Sequence, residues 1–383
     1  MPIALEFNRI KHQFAIFYGA LIFGLFPSYH VGAQTTNLLS FTESKDSTAA
    51  AKKRDKKVVL FSDEAILEFK LTANFRELKK DRDEDRAYHP AIVSVLDSAG
   101  TGVAMDLKVK VRGNNRRNPA VCDFPPILLN FSARGTRNTV FRGVDKLKLV
   151  THCRSDLYVI REYLIYKLYN ILTNHSYQAR LCRVTYEDTS TKKVVETKYA
   201  FLIEDDEAMA KRNSGNIVHK ERLLRMDQTN PQAMALVCFF QYMIGNTDWS
   251  VPYRHNIRIV SQQALDPGIP VAYDFDYAGL VSAPYAKPPA ELGITSVRQR
   301  LFRGYQFEDE IYTEVIKTFN THKKELYKVY TSCPLLDKTY LKQTLSYLDA
   351  FYKTINTPKE FERNIVKVGQ QNQKSMVVIK GLK

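Results

Sequence analysis

Two short polar runs hold the residue types from which chemistry can be built. The first is Asn246-Thr247-Asp248, continuing to His255-Asn256, and the second is Asp274-Phe275-Asp276. Each follows an apolar stretch, so carboxylates stand where a buried segment emerges. An aspartate can orient a hydroxyl or accept its proton. An asparagine oxygen and a pair of aspartates are the hard donors that magnesium prefers. Asp248, then Asn256, then Asp274 and Asp276 make a donor set for a hydroxyl nucleophile beside a metal-bound nucleotide. Asp248 alone reads better as a turn acid bonding its own loop. The apolar residues around Asp274 and Asp276 (Val271 and Ala272 before, Ala278, Leu280 and Val281 after) argue against a plain surface turn, because carboxylates in an apolar run need partners.

Phosphates also need cations. Arg112, Arg116 and Arg117 crowd a Gly113-Asn114 turn, where guanidinium forks and backbone amides can grip phosphate. Lys148 lies on a predicted strand just ahead of a helix carrying Glu162, an order that permits a Lys148–Glu162 pair.

The elements that must position these residues follow from periodicity. Short alternating or β-branched runs predict strands at 58–61, 66–71, 91–95, 105–111, 125–131, 146–150, 181–186 and 194–203, with Glu204 at the exit of the last and Asp206 placed to cap a helix through Lys211. Leu157, Ile160, Leu164, Leu168 and Ile171 recur at helical spacing behind a Ser155 or Asp156 cap. Asn230-Pro231 starts a second helix, apolar nearly all round, that runs to Ile244 and delivers the chain into Asp248. Short strands are expected at 256–260 and 271–273, with amphipathic helices near 306–331, 336–354 and 358–367. The order is a β-rich half with one helix, then a mainly helical half.

At 383 residues, with 44% hydrophobic and 11% aromatic content, the chain can bury a sizeable core. Its formal charge of +15 favours acidic or phosphorylated partners or an anionic envelope surface. Lys and Arg are spread rather than blocked and no nucleic-acid motif occurs, so nucleic acid is not expected. Arg9, Lys11 and His12 precede an apolar run, Phe14 to Phe26, and Val31-Gly32-Ala33 follows. That pattern predicts a signal peptide over 1–33, cleaved near Ala33, and an exported protein. Residues 34–57 read as a polar linker and 369–383 as a basic tail. None of the five cysteines forms a C-x-x-C pattern, which argues against zinc or redox chemistry, and in an oxidising compartment some can pair.

The sequence resembles the spore-coat protein H (CotH) kinase-like family of secreted atypical kinases. The resemblance rests on Val109-Lys110-Val111-Arg112-Gly113-Asn114, on Leu147-Lys148-Leu149 with Asp156 and Arg161, on Tyr199 to Glu204, and on Asn246-Thr247-Asp248, Asn256 and Asp274-Phe275-Asp276. It spans residues 58–355. It implies an α+β, bilobal protein-kinase-like fold, with a β-rich N-lobe over 58–203 and a helical C-lobe over 204–368. It implies ATP with magnesium or manganese and a protein Ser/Thr acceptor. Asp248 would be catalytic, Asn256, Asp274 and Asp276 would hold metal, and Arg112, Lys148, Glu162 and Glu204 would serve the nucleotide. Asp123-Phe124-Pro125-Pro126 stands where the family commonly has a Lys-Lys strand, and Asp248 and Asn256 are farther apart than in an Asp-x-x-x-x-Asn loop. These departures suit an alternative, a catalytically inactive kinase-like module that binds a protein at the envelope or cell surface.

Overall fold

The computed structural model describes residues 59–96, 100–132, 135–191, 193–263 and 266–375. The expected signal peptide (1–33) and the expected linker (34–57) both lie outside them. Seven strands form the β-rich part: β1 (Leu67–Ala73), β2 (His89–Leu96), β3 (Gly102–Val111), β4 (Ile127–Phe131), β5 (Lys146–Val150), β6 (Ala179–Asp188) and β7 (Lys193–Ile203). Alternation explains their pleat. In β1, Leu67, Phe69, Leu71 and Ala73 are buried while Glu68, Lys70 and Thr72 face outward. Of the expected strand at 58–61, the described residues 59–61 form none, and Leu60 and Phe61 lie in a turn.

The expected bilobal kinase-like fold is not what the chain adopts. The strands close into a barrel in the order β1-β2-β3-β4-β5-β7-β6. The closing seam is a parallel pairing of β1 with β6, in register from Leu67 opposite Cys182 to Ala73 opposite Asp188. An alternating strand pattern reveals which face is buried but not which distant strand lies alongside. The seam is therefore the feature that pattern reading misses. Inside the barrel, Leu71, Val93, Val109, Ile127, Leu149 and Val184 are among the residues of one apolar core.

The helices do not form a separate second lobe. α1 (Phe75–Leu78) is a single turn after β1, and α2 (Asp156–Leu172) packs on β6 and β7. Along those strands, Cys182, Ala200 and Leu202 face the barrel interior. Leu181, Phe201 and Ile203 face the other way, into a core shared with α2 and the helices that follow. These are α3 (Asp206–Arg212), α4 (Pro231–Ile244), α5 (Asp309–Thr321), α6 (Lys323–Thr331), α7 (Lys338–Asn356), α8 (Pro358–Phe361) and α9 (Lys367–Ser375). A small antiparallel sheet of β8 (Asn216–Ile217), β9 (Ile257–Ser261) and β10 (Ile269–Ala272) completes the fold. Part of the stretch expected as a tail, 369–375, is helical in α9. Among the described residues, no helix is long and apolar enough to cross a membrane.

A disulfide joins Cys122 to Cys153. It ties the segment after the arginine-rich turn to the start of α2, and Phe124 and Cys153 also form a backbone bridge there. Cys182 and Cys238 are free and buried.

Candidate active site

α4 sets the first polar run. Asn230 caps its start by accepting from the Ala233 amide at 2.9 Å, and Pro231 occupies the first turn. Gly245 ends it with φ of 70°, and a Cβ there would stand 2.1 Å from the Tyr347 hydroxyl, so glycine is required. The chain then turns sharply, and the Asn246 side chain accepts from the Asp248 amide at 3.0 Å.

The long spacing between Asp248 and Asn256 is absorbed by a closed loop. Ser250 and His255 exchange backbone hydrogen bonds of 2.9 and 3.0 Å, pinching off the residues between them. This returns Asn256 to Asp248, where its amide nitrogen donates to the carboxylate at 3.0 Å and to the carbonyl at 2.8 Å. His255 Nε2 lies 2.7 Å from the other carboxylate oxygen. Burial would lower the His255 pKa, but the hydrogen bond to Asp248 and the charges of Asp248 and Asp274 outweigh it and raise it. Asn256, having spent its nitrogen on Asp248, keeps its amide oxygen as a donor to a cation.

β9 and β10 set the second run. Tyr273 donates its amide to the Asn256 carbonyl at 3.0 Å, bringing the two runs side by side. Asn256 and Asp274 both have left-handed backbones, with φ of 50° and 60°. Non-glycine residues are held in that region only by surrounding structure, and such positions gather at functional sites. Asp274 donates its amide to the Tyr166 hydroxyl at 2.9 Å. Phe275 is fully buried, with its ring 4.8 Å from that of Tyr166 and 5.6 Å from that of Phe240. It anchors the segment and leaves Asp274 and Asp276 on either side.

Burial dominates the acids here. Burial pushes Asp276 up to about 7, and the Asp274 and Asp248 charges add to this against Arg116. Glu162, 2% exposed, is likewise raised well above the carboxylate range by burial, then by Asp276 and Asp274. Arg116 is buried among them. It lies 3.3 Å from Glu162 and donates to the Thr151 carbonyl at 2.8 Å, and the acids and Tyr285 hold it charged although burial opposes this. Several carboxylates around one guanidinium, two of them driven toward neutrality, form an environment that a divalent cation would relieve. The donors fit magnesium, which is commonly held by one or two carboxylates together with substrate phosphates. Among the described residues no three His, Cys, Asp or Glu side chains form a self-sufficient metal cage.

Of the residues expected to serve a nucleotide, Arg112 and Lys148 face the same cavity of about 740 Å³ as Asp248, Asn256, Asp274 and Asp276. The Arg112 side chain makes no hydrogen bond or ion pair among the described residues, although its backbone amide bonds Pro126 at 2.9 Å. Glu162 and Glu204 do not line the cavity. Glu204 is buried and bonds Arg212 at 2.8 and 2.9 Å and the Gln178 amide at 3.1 Å. Arg117 turns away to Glu84.

The Lys148–Glu162 pair is not made. α2 lies against the outer wall of the barrel, where Glu162 meets Arg116, while Lys148 pairs with Asp206 at the start of α3. Arg258 bonds the other oxygen of Asp206 at 2.8 Å. Burial would raise Asp206, but Lys148 and Arg258 outweigh it and hold the carboxyl at about 2. Burial in turn lowers Lys148, with Asp206 opposing.

Sequence reading took Asp206 only as a helix cap, a place that Asp205 holds, and missed Arg258 and Arg303. The signals were there. Arg258 interrupts an apolar strand two residues after Asn256, and Asp206 closes an acidic run, Glu204-Asp205-Asp206, just past the end of β7. Arg303 gave none. It reaches across from a loop beyond the site and donates to the carbonyls of Thr247 and Trp249, the latter at 2.7 Å, bracing the Asp248 turn.

No protein-family profile matches the chain, and no characterised protein is similar to it at a significant level.

Proposed function

We propose that this cavity transfers a phosphoryl group from a divalent-metal nucleotide, ATP with magnesium or manganese, to a Ser or Thr hydroxyl of a protein, as the CotH resemblance implies. The observation that carries the reading is convergence. Asp248, Asn256, Asp274 and Asp276, from separated stretches of chain, line one cavity with Arg112 and Lys148. Its lining has six cations (Arg112, Arg116, Lys148, Lys220, Arg254 and Arg258) against three carboxylates, the balance expected for a polyphosphate guest. Its volume is that of a small-molecule site.

The chain's own residues divide the work. Asp248, held at both oxygens by His255 and Asn256, has a fixed orientation toward an incoming hydroxyl and accepts its hydrogen bond or proton. Asn256, Asp274 and Asp276 would hold the metal, which supplies charge neutralisation of the phosphates. Arg112 has free donors for phosphate oxygens, and Lys148 is steadied by Asp206 on the same wall. The Cys122–Cys153 bond suits an oxidising compartment, and so the export that residues 9–33 suggest.

Binding comes first as a test. ATP with magnesium or manganese should raise the melting temperature of the protein, and labelled phosphate should pass to an acceptor protein. Asp248→Ala and Asp274→Ala should each lower transfer at least ~100-fold. Transfer that survives both substitutions refutes the assignment. The engagement of both Asp248 oxygens also favours a second reading, a catalytically inactive binding module; a protein indifferent to ATP would select it.

A further inference from the structure

Arg254 stands on the loop pinched off by Ser250 and His255, and none of the roles above uses it. Its backbone is left-handed, with φ of 50°, and its residue is 9% exposed. One guanidinium nitrogen, Nη2, donates to the Arg222 carbonyl at 2.6 Å. Nε and Nη1 are buried and have no acceptor. No carboxylate lies within ion-pairing distance among the described residues. Burial, and then the neighbouring cations Arg222 and Arg258, oppose its charge. A buried guanidinium without a counter-ion, beside two more cations, is unfavourable unless something anionic completes it.

That vacancy of charge lies on the wall of the same cavity, where Lys220 and Arg258 also line the surface. The cavity wall thus carries the cations Lys220, Arg254 and Arg258 as well as the acids Asp274 and Asp276.

We propose that Arg254 heads an oxyanion subsite for a phosphate group, distinct from the metal-facing acids. This deepens the phosphoryl-transfer reading and rests on it for the identity of the guest. Rotation of the guanidinium off the Arg222 carbonyl turns its unpaired donors into the cavity, where a phosphate can accept two of them at once. The phosphate belongs either to the nucleotide or to an already phosphorylated acceptor, and the two are separable by experiment.

The test is calorimetric titration of the full chain with sodium pyrophosphate, ATP and a phosphoserine peptide at fixed ionic strength. Arg254→Gln should weaken pyrophosphate binding at least tenfold, and Arg254→Lys should recover part of it. The ligand-free melting temperature of Arg254→Gln should be unchanged or raised, because an unpaired buried cation has gone; a fall beside intact pyrophosphate binding marks a structural residue and overturns the proposal. Joint loss of ATP affinity assigns the subsite to the nucleotide, and loss of peptide affinity alone assigns it to the acceptor. Unchanged binding of all three ligands in Arg254→Gln overturns it outright. Arg254-dependent pyrophosphate binding in a protein without transfer activity would keep the subsite and sink the transferase reading.

Discussion

Replacing Asp206 with Asn separates the stability of the cavity wall from its affinity for anions. Asp206 joins Lys148 to Arg258, and its carboxyl is held at about 2 against an ordinary 3.8. At ~1.4 kcal/mol for each pH unit, that difference amounts to about 2 kcal/mol of folding free energy at neutral pH. The sign follows from a depressed carboxyl. Between the two values the unfolded chain binds the proton and the folded one does not. The contribution is therefore complete above the unfolded value of 3.8 and is lost as pH falls toward about 2. Asp206→Asn should lower the unfolding free energy by about 2 kcal/mol at neutral pH. Its gap to the parent protein should narrow steadily in urea titrations below about pH 4. Removing a negative charge should at the same time strengthen pyrophosphate binding, since Lys148 and Arg258 are left unneutralised. A stability gap under ~0.5 kcal/mol at neutral pH, or one that does not change down to about pH 2.5, would show that the carboxylate is not the clamp described here.

Phe275→Ala should cost about 3–5 kcal/mol in urea unfolding and abolish the metal-dependent response to ATP, because the fully buried ring anchors both flanking aspartates. Gly245→Ala should destabilise by more than ~1 kcal/mol through its left-handed backbone and the Tyr347 hydroxyl, which calorimetry would register as a lower melting temperature. Replacing Cys122 and Cys153 together by Ser should cost about 4 kcal/mol, given their separation of 31 residues, and an equal loss in the parent protein under reducing conditions would verify the cause.

Local signals were readable and long-range ones were not. Ser155 and Asn230-Pro231 announce α2 and α4, and those helices start where the caps say, since capping is settled within one turn of chain. The carboxylates and amide of the candidate site were also visible, because polar residues at the ends of apolar stretches stand out. The pairing of Lys148 was misread. Its expected partner assumed a helix beside the strand, whereas α2 backs onto β6 and β7 and gives Glu162 to Arg116. The loop from Asp248 to Asn256 looked too long for its task, and no spacing rule would reveal that Ser250 and His255 close it. Barrel closure depended on a strand more than a hundred residues away and left no trace in either strand alone.

That closure has a consequence for how the chain reaches its native state. β1 cannot find its parallel neighbour until β6 exists, and Thr72 on β1 meets Glu187 across a separation of 115 residues. Until then β1 and β2 form an open ribbon with one unpaired edge. Such an edge is a template for any strand that arrives first, including β6 of another copy. Closing so distant a seam also makes folding slow. The concentration at which the protein is refolded should thus decide between monomers and strand-exchanged dimers, with the latter sharing two completed barrels between two chains.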